Sequence, residues 1–198
     1  LLAAPNLATW SGRRDRAIVM LAVQTGLRAA ELTGLRCDDI VLGVGAHVRC
    51  EGKGRKRRCT PLSKDMVRVL RDWLRERGGQ PSDSLFPSMR GAALSHDALQ
   101  DLLDKHVAVA RRRCSSLARK RVTPHVLRHT LAMDLLHHGA GQTVIALWLG
   151  HESPETTAIY LHADMQLKER ALAATTTKKT LVPRFRPGDR LLNFLKGL

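Results

Sequence analysis

The chain has 198 residues, 43% of them hydrophobic and 26% charged, which suits one sizeable folded domain and is short for two. Its 33 Lys and Arg against 18 Asp and Glu leave a formal charge of +15, which argues against an enzyme of small neutral molecules and for a polyanionic partner, nucleic acid or an anionic membrane. No apolar run approaches ~18 residues, so no transmembrane helix is expected; Cys37, Cys50, Cys59 and Cys114 form no CxxC pair, so zinc-ribbon spacing is absent and reduced, structural thiols are expected.

In chain order, LLAAPNLATW lacks an initiator Met and a basic-then-apolar leader pattern, and reads as a cut inside a longer chain. RRDRAIVMLAVQTG (13–26) reads as a helix ending at Gly26, and RAAEL (28–32) begins a second, shorter one. Residues 39–63 change period. β-Branched residues and turn glycines there predict a three-stranded meander at roughly 39–42, 46–51 and 56–60. Ser63 is placed to cap a helix to about Glu76 with Met66, Val67, Leu70, Trp73 and Leu74 on one face. Residues 77–83 read as a turn. Ser95 is placed to cap another helix, which carries Leu99, Leu102, Leu103, His106 and Val107 on a stripe. A basic run, RRRCSSLARKR (111–121), follows. Residues 123–139 give a well-marked helix with Thr as cap, Pro at its first position and Gly at its end. A short apolar helix (142–150) ends at Gly150, SPETTAIYLHA restarts with Ser and Pro, and 164–174 is a further helix candidate. Residues 175–189 read as a linker, and RLLNFLKGL places Leu191, Leu192, Phe194, Leu195 and Leu198 on one stripe. With aromatics at 4%, an aliphatic core is expected.

Four separate elements offer cationic or imidazole groups at corners. Arg28 follows a helix-ending glycine at the mouth of the next helix, where backbone N–H groups favour an anion, and Glu31 is placed to orient its guanidinium; a surface Arg28–Glu31 pair is the plainer alternative. In EGKGRKRRC, two glycines bracket Lys53, followed by Arg55, Lys56, Arg57 and Arg58. Such a tip either guards an edge against strand pairing or enters a DNA groove. His125 and Arg128 share a face at i and i+3, suited to holding a phosphate-like anion. His125 and His129 have a metal-compatible i, i+4 spacing, but the glutamate of HExxH is missing, so no metal is expected. His151 lies in a corner between two helices, and Tyr160, the single Tyr of the chain, comes two turns later. A lone Tyr is ordinarily a core or lid residue. Here it stands beside a Lys, two Arg and two His, the set that metal-free phosphodiester chemistry needs: a nucleophile, an acid for the leaving oxygen, and fixed positive charge.

The ordered series Arg28 in TGLRAAEL, Lys53 in GKGRKRR, HVLRH, LGH and Tyr160 resembles the tyrosine recombinases of the phage-integrase superfamily, over about residues 13–175. The 23 residues from Arg128 to His151 and the nine from His151 to Tyr160 are similar to that family's intervals. VIALWLGHES looks most like recombinases of mobile elements. The resemblance implies an α+β fold, mainly helical with a small three-stranded antiparallel sheet. It implies a DNA strand-transferase that needs neither metal nor ATP. By the same resemblance, Tyr160 is expected to attack a phosphodiester and form a 3′-phosphotyrosyl bond, with Arg28 and Arg128 holding the non-bridging oxygens, Lys53 protonating the 5′ oxygen, and His125 and His151 binding the phosphate and assisting proton transfer. Lys56 is the alternative acid. DNA contacts are expected from Arg55, Lys56, Arg57, Arg58, Arg111, Arg112, Arg113, Arg119, Lys120 and Arg121.

Residues 1–175 are read as a catalytic domain and 176–198 as a linker and helix that docks in cis or in trans. The family's N-terminal DNA clamp has no counterpart in residues 1–12. The expected partners are double-stranded DNA and further copies of the chain in a synaptic tetramer, with no membrane and no cofactor. The expected location is the cytoplasm of a bacterium, on the nucleoid. A DNA-binding relative with decayed chemistry and a type IB topoisomerase are the alternatives. The complete residue set favours the enzyme over the first, and the two recombinase-like motifs disfavour the second.

Overall fold

A computed structural model describes residues 1–52 and 57–150. Helix α1 (Trp10–Thr25) starts three residues before the sequence-based boundary, because Thr9 Oγ1 accepts the Gly12 N–H and caps it there. It ends at Gly26, whose φ of 62° is the left-handed conformation that favours glycine at this position. Helix α2 (Ala29–Thr33) follows at once. A 3-10 turn at Cys37–Asp39 leads into β1 (Ile40–Val41), β2 (His47–Glu51) and β3 (Arg57–Pro61), an antiparallel sheet in the order β1-β2-β3. The meander is thus as predicted, with β3 ending one residue later than expected and β1 reduced to two residues. In the β2–β3 ladder Val48 faces Thr60 and Cys50 faces Arg58.

Helix α3 (Lys64–Arg77) and helix α4 (His96–Arg111) have the predicted caps, Ser63 accepting from Met66 N and Ser95 from Ala98 N. Met66, Leu70 and Trp73 are buried on α3, with Val67 and Leu74 half-buried at the margin. All five predicted stripe residues of α4 are buried. Helix α5 (Pro124–His137) is capped by Thr123, and α6 (Gln142–Leu149) ends at Gly150 with φ 65°. The helix candidates and linker proposed beyond residue 150 lie outside the described residues.

The core joins α1, α2, the inner sheet face, α3 and α4 through Ile18, Leu21, Leu32, Val48, Met66, Leu70, Leu99 and Leu103, all nearly or fully inaccessible. α1 packs on α3 and α5, α2 on α4, and α5 on α6. The core is mostly aliphatic, as expected, but Trp10, Trp73 and Phe86 are gathered into one cluster, with centroids of successive rings 5.1 and 6.4 Å apart. Trp73 donates its Nε1–H to the Leu85 carbonyl at 2.8 Å. That contact ties α3 to residues 84–94, a segment without a strong period that nevertheless buries Leu85, Phe86 and Leu94. Beside it, a buried ionic group links α1 to α4. Asp15 accepts from Arg14 through Oδ1 and from His106 Nε2 through Oδ2 at 2.8 Å, and Arg14 also donates to the Pro87 carbonyl. All four cysteines are free, and burial pushes the Cys50 thiol up to about 11.

Candidate active site

The end of α6 is the point around which the site is built. Its last carbonyls have no partner within the helix. Arg128, on α5 and only 5% exposed, donates Nη2–H to the Leu149 carbonyl and Nη1–H to the Gly26 carbonyl, both at 2.7 Å. Arg28, immediately before α2, reaches the Gly150 carbonyl through Nη2 at 3.4 Å. Two arginines from α5 and from the start of α2 therefore converge on adjacent carbonyls. Gly26 makes the approach possible. A Cβ there would lie 2.6 Å from Leu149 Cδ2 and 2.9 Å from Leu131 Cδ2, on top of the strain of its positive φ.

Glu31 orients Arg28, as the sequence suggested. Its Oε2 accepts the Arg28 backbone N–H at 2.7 Å and its Oε1 accepts Nη1–H at 3.1 Å. Because α2 has five residues, aligned peptide dipoles contribute little here, and the positive potential at this corner comes from the guanidinium itself. Arg28 keeps 43% of its side chain exposed. Burial by itself would raise the Glu31 pKa, but the hydrogen bonds from Arg58 and the Arg28 backbone outweigh it and hold the carboxyl at about 2.

Both arginines open onto a cleft of about 530 Å³ walled by His125, Thr123, Arg121, His96 and Gln100. His125 is exposed at the second position of α5, one turn before Arg128. The structure thus brings Arg28, His125 and Arg128 together at one cleft, with Arg121 from the basic run on its wall. Such a wall of two guanidiniums and an imidazole suits a tetrahedral or trigonal-bipyramidal anion. Lys53, Arg55, Lys56, His151 and Tyr160 lie outside the described residues. Among the described residues no three His, Cys, Asp or Glu side chains converge in a metal-holding arrangement, and no helix is long and apolar enough to cross a membrane.

The cations grouped from sequence as DNA contacts divide in two. Arg57, Arg112, Arg113, Arg119, Lys120 and Arg121 are exposed, Arg57 with Glu51 3.5 Å away. Arg111 spends its guanidinium on the Leu117 and Lys120 carbonyls, stapling the loop that carries its neighbours. Arg58 departs furthest from the expectation. Instead of standing on an exposed tip, it turns inward and grips Glu31 with both terminal nitrogens, at 2.8 and 2.7 Å. Strand parity carried the signal: Val48 and Cys50 face inward on β2, so their cross-strand partners Thr60 and Arg58 must do so on β3. An arginine on the buried face of a sheet requires an anion opposite it.

A mainly helical domain with a three-stranded meander and this arginine-walled cleft has the architecture of an integrase catalytic domain. The chain belongs to the phage integrase family, whose model matches residues 1–167. It is similar to the putative integrase/recombinase y4rC of Sinorhizobium fredii, at 56% identity over 198 residues, covering 100% of this chain and 60% of that protein. It is also similar to the tyrosine recombinase XerD of Pseudomonas aeruginosa, at 39% identity over 167 residues, covering 82% of this chain and 54% of that one. Among solved structures, it is similar to XerH site-specific recombinase bound to palindromic difH substrate in a post-cleavage complex. That match has a TM-score of 0.74 and 28% identity, and covers 87% of this chain and 48% of that one. The chain thus spans about half to three-fifths of the length of these relatives.

Proposed function

We propose that this chain is the catalytic domain of a site-specific DNA recombinase, with residues 1–175 as the catalytic unit and 176–198 as a linker and docking helix. The observation that carries the reading is the convergence of Arg28 and Arg128, anchored on adjacent carbonyls, at a cleft that also holds His125. Family membership and the recombinase names of its relatives support it. Tyr160 Oη attacks a DNA phosphorus as its proton leaves toward His125 or His151. The P–O5′ bond breaks, Lys53 protonates the departing 5′ oxygen, and a 3′-phosphotyrosyl bond remains. A 5′-hydroxyl of a second strand then attacks that phosphorus and releases the phenol, so the phosphodiester is re-formed without ATP. Arg28 and Arg128 neutralise the non-bridging oxygens throughout. Free Tyr has a pKa near ~10, so this positive surround also lowers the cost of deprotonation. Double-stranded DNA is the substrate and self-association into a synaptic tetramer its context, in the bacterial cytoplasm on the nucleoid.

The test is covalent trapping on sheared, randomly nicked DNA of the source genome, with recovery and sequencing of SDS-stable adducts. Adducts from the natural chain and none from Tyr160→Phe, which should still bind DNA, are expected. An adduct that persists in Tyr160→Phe would remove Tyr160 as nucleophile. Salt-sensitive binding with no adduct, on a chain restored to the full length of its relatives, would favour a DNA-binding relative without chemistry.

A further inference from the structure

Arg58 sits in a strand that the reaction described above does not use, yet it touches two parts of the site. Both terminal nitrogens engage Glu31, and Glu31 in turn holds the backbone and side chain of Arg28. Its other face lies against the corner after α6. A Cβ on Gly150 would meet Arg58 Cδ and Nη1 at 2.9 Å and Cζ at 3.1 Å. Gly150 is also the residue whose carbonyl Arg28 reaches. Arg58, Glu31, Arg28 and Gly150 therefore close a ring joining β3, α2 and the end of α6. The Arg58 side chain is 12% exposed, against 86% for its neighbour Arg57, and its Nε is buried without a hydrogen-bond partner. A cation that contacts a DNA phosphate must present its donors outward; Arg58 turns both terminal nitrogens onto Glu31 instead.

We infer that Arg58 is a positioning residue for phosphate recognition. It locks Glu31 so that Arg28 is aimed into the cleft, and it seats the Gly150 corner that immediately precedes His151. Arginine suits this role because a planar fork fixes a carboxylate at two points, whereas lysine offers a single charge with no orientation. Strand β3, which follows the proposed acid Lys53 in sequence, is thereby braced against Arg28. The kinetic arm of the test rests on the strand-transfer reading above; the spectroscopic arm does not.

The test uses the whole chain with Arg58→Lys, Arg58→Gln and the double variant Glu31→Gln/Arg58→Gln, on the duplex recovered by trapping. The double variant removes both buried charges together, so neither is left unpaired. Single-turnover adduct formation at saturating duplex should fall about a hundredfold in Arg58→Gln and in the double variant, since small displacements of a phosphate-binding group cost that much. Arg58→Lys should recover part of the rate. Duplex affinity, measured with Tyr160→Phe in each background, should stay within about twofold, with an unchanged salt slope. A full rate at saturation with weaker binding and a slope shallower by about 0.9 would make Arg58 a DNA contact and overturn the inference. A rate that returns to normal once the folded fraction is corrected for would make it merely structural, and overturn it too.

The second readout is the guanidinium ¹⁵N–¹H spectrum, with Arg28 assigned by loss of its signal in Arg28→Lys. Slow, resolved Arg28 Nη signals should average in Arg58→Gln and in the double variant. Unchanged Arg28 signals would overturn positioning, whatever the DNA assay gives. Resolved signals in the natural chain that average in the variants, together with no adduct from the natural chain, would sink strand transfer and leave positioning standing.

Discussion

Replacing Glu31 by Gln tests the electrostatics of the site more directly than any change of a catalytic side chain. Glu31 accepts hydrogen bonds from Arg58 Nη1 and Nη2 and from Arg28 N and Nη1, and its side chain is 5% exposed. A carboxyl held at about 2 against an ordinary 4.5 contributes about 3 kcal/mol to stability at neutral pH. Because the folded value lies below the ordinary one, the contribution is whole above ~4.5 and is lost as pH falls through about 2, with roughly 2 kcal/mol gone by pH 3. Gln brings two donors of its own toward two guanidiniums and leaves the half-buried Arg58 without an anion, a loss on the order of 3–5 kcal/mol. Urea unfolding of the natural chain and Glu31→Gln, from pH 7 down to pH 3, measures both quantities. The expected result is a difference of about 3–5 kcal/mol at pH 7 that narrows by about 2 kcal/mol toward pH 3. A difference that stays constant across this range, or one below about 1 kcal/mol at pH 7, refutes the assignment of the ion pair.

Gly26→Ala should destabilise by about 2–4 kcal/mol, from its positive φ and the clash with Leu149 and Leu131, and should slow adduct formation by shifting the carbonyl that holds Arg128; a thermal midpoint within a degree of the natural chain's would contradict this. Asp15→Asn should cost about 3–5 kcal/mol by stranding the buried Arg14, while Asp15→Asn/Arg14→Met recovers much of the loss in the same denaturation assay. DNA affinity should fall steeply with salt, each neutralised phosphate adding about −0.9 to the log–log slope, and a flat dependence in a filter-binding titration would count against the exposed cations. Deleting 188–198 separates docking in trans from docking in cis: lost self-association at unchanged stability, read by light scattering and thermal melting, supports the former, and the reverse pattern the latter.

The elements were legible in sequence because their determinants are local. Ser63, Ser95 and Thr123 each accept the N–H three residues on, as their spacing predicted, and Gly26 and Gly150 end their helices in the left-handed conformation. The stripe on α4 is buried residue for residue because a helical period of 3.6 leaves little freedom once one face is apolar. The start of α1 was missed because Thr9 caps ahead of the polar WSGRR, where no apolar period announces a helix. Residues 84–94 escaped for a related reason: a segment held by Trp73 and by isolated bridges has no period of its own.

The candidate site divides in the same way. The sequence by itself determined the helix and strand order, the basic character of the chain and the motifs that carry Arg28, His125 and Arg128, since motif order and spacing are properties of the chain. Tertiary structure decided what those groups do to one another. Arg28 and Arg128 meet only because α6 brings two unsatisfied carbonyls to the end of α1, a contact across more than a hundred residues. Arg58, indistinguishable in composition from Arg57 beside it, becomes a buried partner of Glu31 because a strand turns alternate side chains to opposite faces, and only the packed sheet decides which face is inside.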